Sequence, residues 1–146
     1  MIVGITGTRF GMSSEQNIAF VELINILKPT VLVDGCCTGV DEECFLIARN
    51  LKIKTVGRPG YSALTQENIN EFRSSYQRDI MHPSKTHFAR NRDIVNESQI
   101  IIAIPYELNN KGGTNYTIQY TIKMEKPLYV ILREGQIITY NVWLYN

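Results

Sequence analysis

The sequence predicts an α/β protein. It reads as a doubly wound, mainly parallel five-stranded sheet with helices on both faces, plus a short C-terminal strand or tail. Three observations predict this. Apolar, β-rich runs recur along the chain at Ile2–Ile5, Val31–Val33, Ile53–Val56, Ile100–Ile104 and Leu128–Leu132. The runs are nearly continuous rather than alternating, which suits strands covered on both faces. Helical patterns fall between them, and such alternation with right-handed crossovers builds a doubly wound sheet. At 146 residues the chain fits one domain, residues 1–146.

Each helix has its own signal. Ser13 and Gln16 have capping-box spacing, and Phe20, Leu23, Ile24 and Leu27 then form one apolar stripe that Pro29 ends. Thr38 and Asp41 read as the cap and acidic first turn of a second helix, with its stripe at Val40, Cys44, Ile47 and Ala48. A third helix is expected from about Asn91 to Ser98. A fourth is expected from about Thr114, carrying Ile118, Ile122 and Met124 before Pro127. The connection from Arg58 to Ala89 is long for a compact domain. It reads as a lid, a binding loop or an unrecognised helix within "LTQENINEFRSSYQRDI". The tail "IITYNVWLYN" is aromatic-rich and reads as an edge strand, a core cover or a subunit contact.

Composition narrows the function classes. Hydrophobic residues make up 44% and charged residues 20%, a soluble globular balance rather than a disordered one. A net charge of +1 argues against a general nucleic-acid or anionic-membrane binder. The N-terminus, "MIVGITGTR", lacks the basic and apolar regions of a signal peptide, so a cytoplasmic location is expected, in a cell or an infected host cell. Cys36, Cys37 and Cys44 lack the paired spacing of a zinc site and read as reduced thiols in or near the core. Neither a metal nor a cofactor is expected.

Ligands of such folds bind beyond the carboxyl ends of the strands. There the sequence places "TGTR" (Thr6–Arg9), "DGCCTGVD" (Asp34–Asp41), "GRPG" (Gly57–Gly60) and "PYELNNKGGT" (Pro105–Thr114). Glycine lets an anion approach the backbone, threonine adds a hydroxyl, arginine adds a fork, and a helix N-terminus adds unpaired N–H groups. "GGT" and "GCCTG" both meet this description, and Gly7 and Arg58 fall in the same set of loops. The better-known motifs are missing: there is no G-x-G-x-x-G, no P-loop and no G-x-S-x-G elbow. Arg90 and Arg92 are expected at the start of the third helix, near His87, where arginines oppose the helix dipole unless an anion lies between them.

Together "TGTR", "DGCCTGVDEE", "RNRDIVNESQIIIAIP" and "KGGTNYTIQYTIKMEKPLYVI" resemble the SLOG superfamily of Rossmann-like nucleotide-binding domains, in its small stand-alone branch. That superfamily includes LOG-type nucleotide N-glycosidases, the DNA-processing protein A fold and sensors of nucleotide second messengers in prokaryotic immunity. The resemblance covers about residues 1 to 132. It implies a ligand with a sugar phosphate or nucleotide and an assembly of two or four copies. Its phosphate would sit on Gly112, Gly113 and Thr114, with Thr8 and Arg9 nearby. Gly35, Thr38, Gly39 and Asp41 would line the sugar, and Arg90 and Asn91 match the arginine segment. LOG-type glycosidases carry a glutamate three residues after the motif threonine; here that residue is Thr117.

Three functions follow as expectations. The first is capture or sequestration of a nucleotide or nucleotide-derived signalling molecule without turnover. The second is a nucleoside 5′-monophosphate N-glycosidase using Asp41 or Glu42 as its acid, with Arg90 or Arg92 on the phosphate. The third, least favoured by the charge balance, is single-stranded DNA binding along a basic stripe of Arg73, Arg78, Lys85 and Arg90.

Overall fold

A computed structural model describes residues 1–64, 70–109 and 111–142. In chain order its elements are β1 (Ile2–Gly7), α1 (Ser14–Leu27), β2 (Val31–Asp34), α2 (Val40–Asn50), β3 (Lys54–Gly57), β4 (Gly60–Tyr61), β5 (Ile80–Met81), β6 (Lys85–Thr86), α3 (His87–Glu97), β7 (Ile100–Ile104), α4 (Gly112–Lys123), β8 (Leu128–Ile131) and β9 (Ile137–Tyr140). The main sheet has the order β5-β3-β2-β1-β7-β8-β9, and only β9 runs antiparallel. The five expected strands are all present. Ile80–Met81 adds a short parallel edge beside β3, and the tail supplies the β9 edge. Residues 143–146 of the aromatic tail lie outside the described residues.

The periodicity of the central strands sorts the core into two layers. Val3 and Ile5 of β1 and Ile100, Ile102 and Ile104 of β7 join Phe20, Leu23 and Ile24 of α1 and Val40, Cys44 and Ala48 of α2. Ile101 and Ala103 of β7 face the other way and join Ile94 and Val95 of α3 and Ile118 of α4. Every residue of β7 is buried, as a strand covered on both faces requires. At Gly4 the α3 side packs so close that a Cβ would press on Ser98, Ile101 and Ile94.

α1 begins as its spacing predicts. Ser13 Oγ accepts from the Gln16 N–H, and the Gln16 side chain accepts from the Ser13 N–H. Gln16 is also fully buried, where its Nε2 donates to the Pro105 and Ile131 carbonyls and so ties α1 to the ends of two strands.

The other helix starts differ from expectation. Thr38 does not cap α2; Gly39 stands at the N-cap with φ +83° and makes no side-chain cap bond. The Arg9 backbone lies against it so closely that no Cβ fits, and only glycine combines that approach with positive φ. α3 starts four residues earlier than Asn91, because the Thr86 hydroxyl accepts from the Ala89 N–H and caps it. Arg90 and Arg92 therefore lie within α3, beyond its first turn. α4 starts at Gly112 rather than Thr114.

In the long connection, the helix expected within "LTQENINEFRSSYQRDI" falls partly on residues 65–69, outside the described residues. Residues 70–80 contain no helix. The connection instead supplies β5 and a two-stranded parallel pair, β4 with β6. Its middle is pinned to the loop after β2. The Thr38 N–H donates to the Phe72 carbonyl at 2.7 Å, and the Ser74 N–H to the Cys36 carbonyl at 2.8 Å.

No helix among the described residues is long and apolar enough to cross a membrane.

Candidate functional site

In the sheet order β1 has β2 on one side and β7 on the other, and the chain leaves their carboxyl ends toward opposite faces. A crevice opens at such a switch point. Here it holds an inner cavity of about 200 Å³ and an outer one of about 340 Å³, with Arg9, Gly113 and Thr114 lining both.

Of the residues put forward from sequence, Gly7, Gly35, Asp41, Arg90 and Asn91 line the inner cavity, and Thr8 and Gly112 the outer. Thr38, Gly39, Arg58 and Glu42 line neither. Thr38 and Gly39 shape the backbone beneath the site. Arg58 forks onto Glu97, its Nη2 3.0 Å from Oε2, and lies 3.8 Å from Asp93. Glu42 accepts from the Ser74 hydroxyl at 2.7 Å.

The two helix N-termini at the cleft are built in opposite ways. At α2 the Val40 N–H donates to the Thr8 carbonyl at 3.0 Å, and carboxylates of the first turn bond N–H groups of the neighbouring loops. Asp41 Oδ2 accepts from the Cys37 N–H at 3.2 Å, and Glu43 Oε1 from the Met12 N–H at 2.8 Å. Neither helix has a side-chain cap, but α4 also has no acid in its first turn. A Cβ at Gly112 would meet nothing within 4 Å, and one at Gly113 only Asn91 Nδ2 at 3.7 Å.

Arg90 is structural in a specific sense. It is buried, and its Nη1 donates to the Gly35 and Arg58 carbonyls, joining the loops after β2 and β3. Its Nε donates to Asn91 Oδ1 at 2.7 Å. That leaves Asn91 Nδ2 directed toward Gly113, with no hydrogen-bond partner among the described residues. Arg90 Nη2 lies 2.9 Å from His87 Nδ1. Burial, and then the Arg90 charge, hold His87 below the usual histidine range, so the ring is neutral and accepts at Nδ1.

Beneath the β2 loop, Arg78 makes a bidentate pair with Asp34 at 3.0 and 2.8 Å, with both side chains shut off from solvent. Asp34 also accepts from the Cys36 N–H at 2.7 Å. Burial, and then the Asp34 charge, push Asp41 up to about 7 against the opposing pull of Arg90. Near neutral pH Asp41 can therefore donate or accept a hydrogen bond. Burial, and then Asp41, raise the Cys37 thiol, which stays protonated. Cys36, pushed up to about 12 chiefly by burial, does the same.

Sequence reasoning missed Asn70, Phe72 and His87 in the inner cavity and Phe10, Tyr106 and Lys111 in the outer. The signal for Asn70 and Phe72 was the long connection itself, already suspect as a binding loop. Phe10 directly follows "TGTR". The expected basic stripe does not form: Arg78 and Arg90 are buried, and Lys85 pairs with Asp93 at 2.6 Å. Among the described residues no group of histidines, cysteines and carboxylates could hold a metal ion.

The sheet order and the crevice at its switch point make this a Rossmann-like α/β protein. Solved structures share that fold. The molybdenum cofactor binding protein of the phototrophic bacterium Rippkaea orientalis matches with TM-score 0.66 at 24% identity, over 90% of this chain and 76% of that one. The structural-genomics target TM1055 matches with TM-score 0.60 at 18% identity, over 87% and 71%. No protein-family description matches the chain, and no curated protein does.

Proposed function

We propose that the protein captures a phosphate-bearing nucleotide, or a signalling molecule derived from one, and holds it unchanged. The carrying observation is the α4 N-terminus: an uncapped first turn with two glycines, open to both cavities. Unpaired N–H groups and the helix dipole favour an anion there. Asn91 Nδ2 adds a donor beside Gly113. The Rippkaea neighbour, a molybdenum cofactor binding protein, supports the reading that this crevice holds a small molecule.

Retention rather than turnover rests on Thr117. Its hydroxyl donates back to the Gly113 carbonyl at 2.8 Å, and the side chain is 1% exposed. No carboxylate occupies the position where LOG-type glycosidases carry theirs.

A second reading has one observation in its favour. Asp41 faces the inner cavity with a proton affinity suited to acid–base work near neutral pH. It supports a nucleoside 5′-monophosphate N-glycosidase with Asp41, rather than Glu42, as the acid.

One experiment separates the two. The protein is titrated calorimetrically with AMP, ADP and inorganic phosphate, and the nucleotide is recovered after long incubation. Binding with the nucleotide returned intact supports capture. Free base, lost on Asp41→Asn, supports the hydrolase. Absence of binding to all three overturns both. Assembly into two or four copies is part of the same proposal. The exposed ring of Phe88, with Tyr116 4.5 Å away on α4, offers an apolar face for it, and sedimentation would test it.

A further inference from the structure

The two cavities differ in chemistry, and the α4 N-terminus stands between them. Asp41, Asn70, Asn91 and His87 surround the inner one with hydrogen-bonding groups. The outer one is flanked by two rings left in solvent, Phe10 at 71% and Tyr106 at 52% exposure. Their centroids lie 5.9 Å apart, edge to face. Arg9 lies 5.3 Å from the Phe10 ring and Arg133 4.5 Å from the Tyr106 ring, so each ring is flanked by a cation. Exposed rings beside cations are the surfaces on which nucleic-acid bases stack.

Size points the same way. Small-molecule sites span roughly 300–1,000 Å³. The inner cavity, at about 200 Å³, falls below that range, and the outer, at about 340 Å³, only reaches its lower end. Taken together, the two adjoining cavities, which share Arg9, Gly113 and Thr114, fall well inside it.

Building on an anion bound at α4, we infer that the ligand has two parts joined through phosphate. A planar base stacks on the exposed Phe10 ring in the outer cavity, with Tyr106 edge-on beside it. A diphosphate bridge crosses Gly112–Thr114. A hydroxyl-bearing sugar fills the inner cavity, where Asp41 bonds its hydroxyls, while Asn91 Nδ2 faces the phosphate at Gly113. The chemical class is a nucleoside diphosphate esterified with a sugar.

Calorimetry with ADP-glucose, ADP and glucose 1-phosphate tests this. ADP-glucose should bind at least about tenfold more tightly than either half, because the second group adds contacts without a second loss of translational freedom. Phe10→Ala removes a solvent-exposed ring and should weaken ADP-glucose about tenfold or more, the scale of a lost base–aromatic stack. Circular dichroism checks that the variant is folded. ADP-glucose binding no more tightly than ADP, or unchanged by Phe10→Ala, overturns the two-part ligand. If that happens while ADP still binds and Gly113→Val abolishes it, the anion site at α4 stands and only this inference falls. If none of the three ligands binds, both fall.

Discussion

The N-termini of α2 and α4 both follow a strand of the same sheet through a glycine-bearing loop, yet they do different work. "GCCTG" and "GGT" look alike as sequences, and each is a fair anion cradle. In the fold, the Val40 N–H that opens α2 is taken by the Thr8 carbonyl, Asp41 and Glu43 take up N–H groups of the neighbouring loops, and Gly39 is wedged against Arg9. α4, uncapped like α2, has no acid in its first turn, and its glycines face open space. What separates a structural turn from a ligand site is whether the chain's own carbonyls and carboxylates have already occupied the donors. Glycine at α2 serves packing; glycine at α4 serves access.

Four substitutions can break or sharpen that contrast. Arg78→Met should have the largest effect. It leaves Asp34 buried without its cation and should cost about 3–5 kcal/mol by denaturant unfolding. An unchanged midpoint would mean the α2 loop does not depend on that clamp.

Asp41→Asn comes next, through pH. Asp41 is raised to about 7 in the folded state, so between about pH 4 and 7 the native protein holds a proton that the unfolded chain has released. Wild-type stability should therefore fall as pH rises through that window and level off above it. The variant should lack this fall and be more stable by about 2–4 kcal/mol at pH 8. Parallel stability curves for the two proteins would contradict the assignment.

Gly39→Ala should destabilise by about 3 kcal/mol, since it combines positive φ with a collision against the Arg9 backbone. Gly113→Ala should do the reverse. It costs no stability and can gain up to about 1 kcal/mol from helix propensity, yet should weaken nucleotide binding about tenfold by lifting the anion off the turn. If Gly113→Ala bound as well as the wild type, α4 would be no more a ligand site than α2.

Much of the fold was legible because burial writes a period into sequence. The unbroken, largely β-branched run Ile100–Ile104 suits a strand covered on both faces, and Ser13 with Gln16 marks the start of α1. The edge at which ligands would gather followed from the loops at the carboxyl ends of the expected strands. Other features were not legible because they depend on contacts distant in sequence. Thr38 looks like a cap, but a Phe72 carbonyl far along the chain takes its N–H. Arg90 looks like a phosphate binder at a helix start; it lines the inner cavity, but its side chain is buried and ties two loops together and orients Asn91. Arg58 looks like a ligand residue, but Glu97 claims it one helix away. In each case the residue type and its place on the sheet edge were visible, while its partner was not.

The most direct test of the contrast is amide NMR during titration with ADP. The account predicts that the Gly113 and Thr114 amides shift and saturate together, while the Cys37 and Val40 amides, already bonded to Asp41 and to the Thr8 carbonyl, stay in place. Saturable shifts at Cys37 and Val40 with Gly113 and Thr114 unmoved would contradict it.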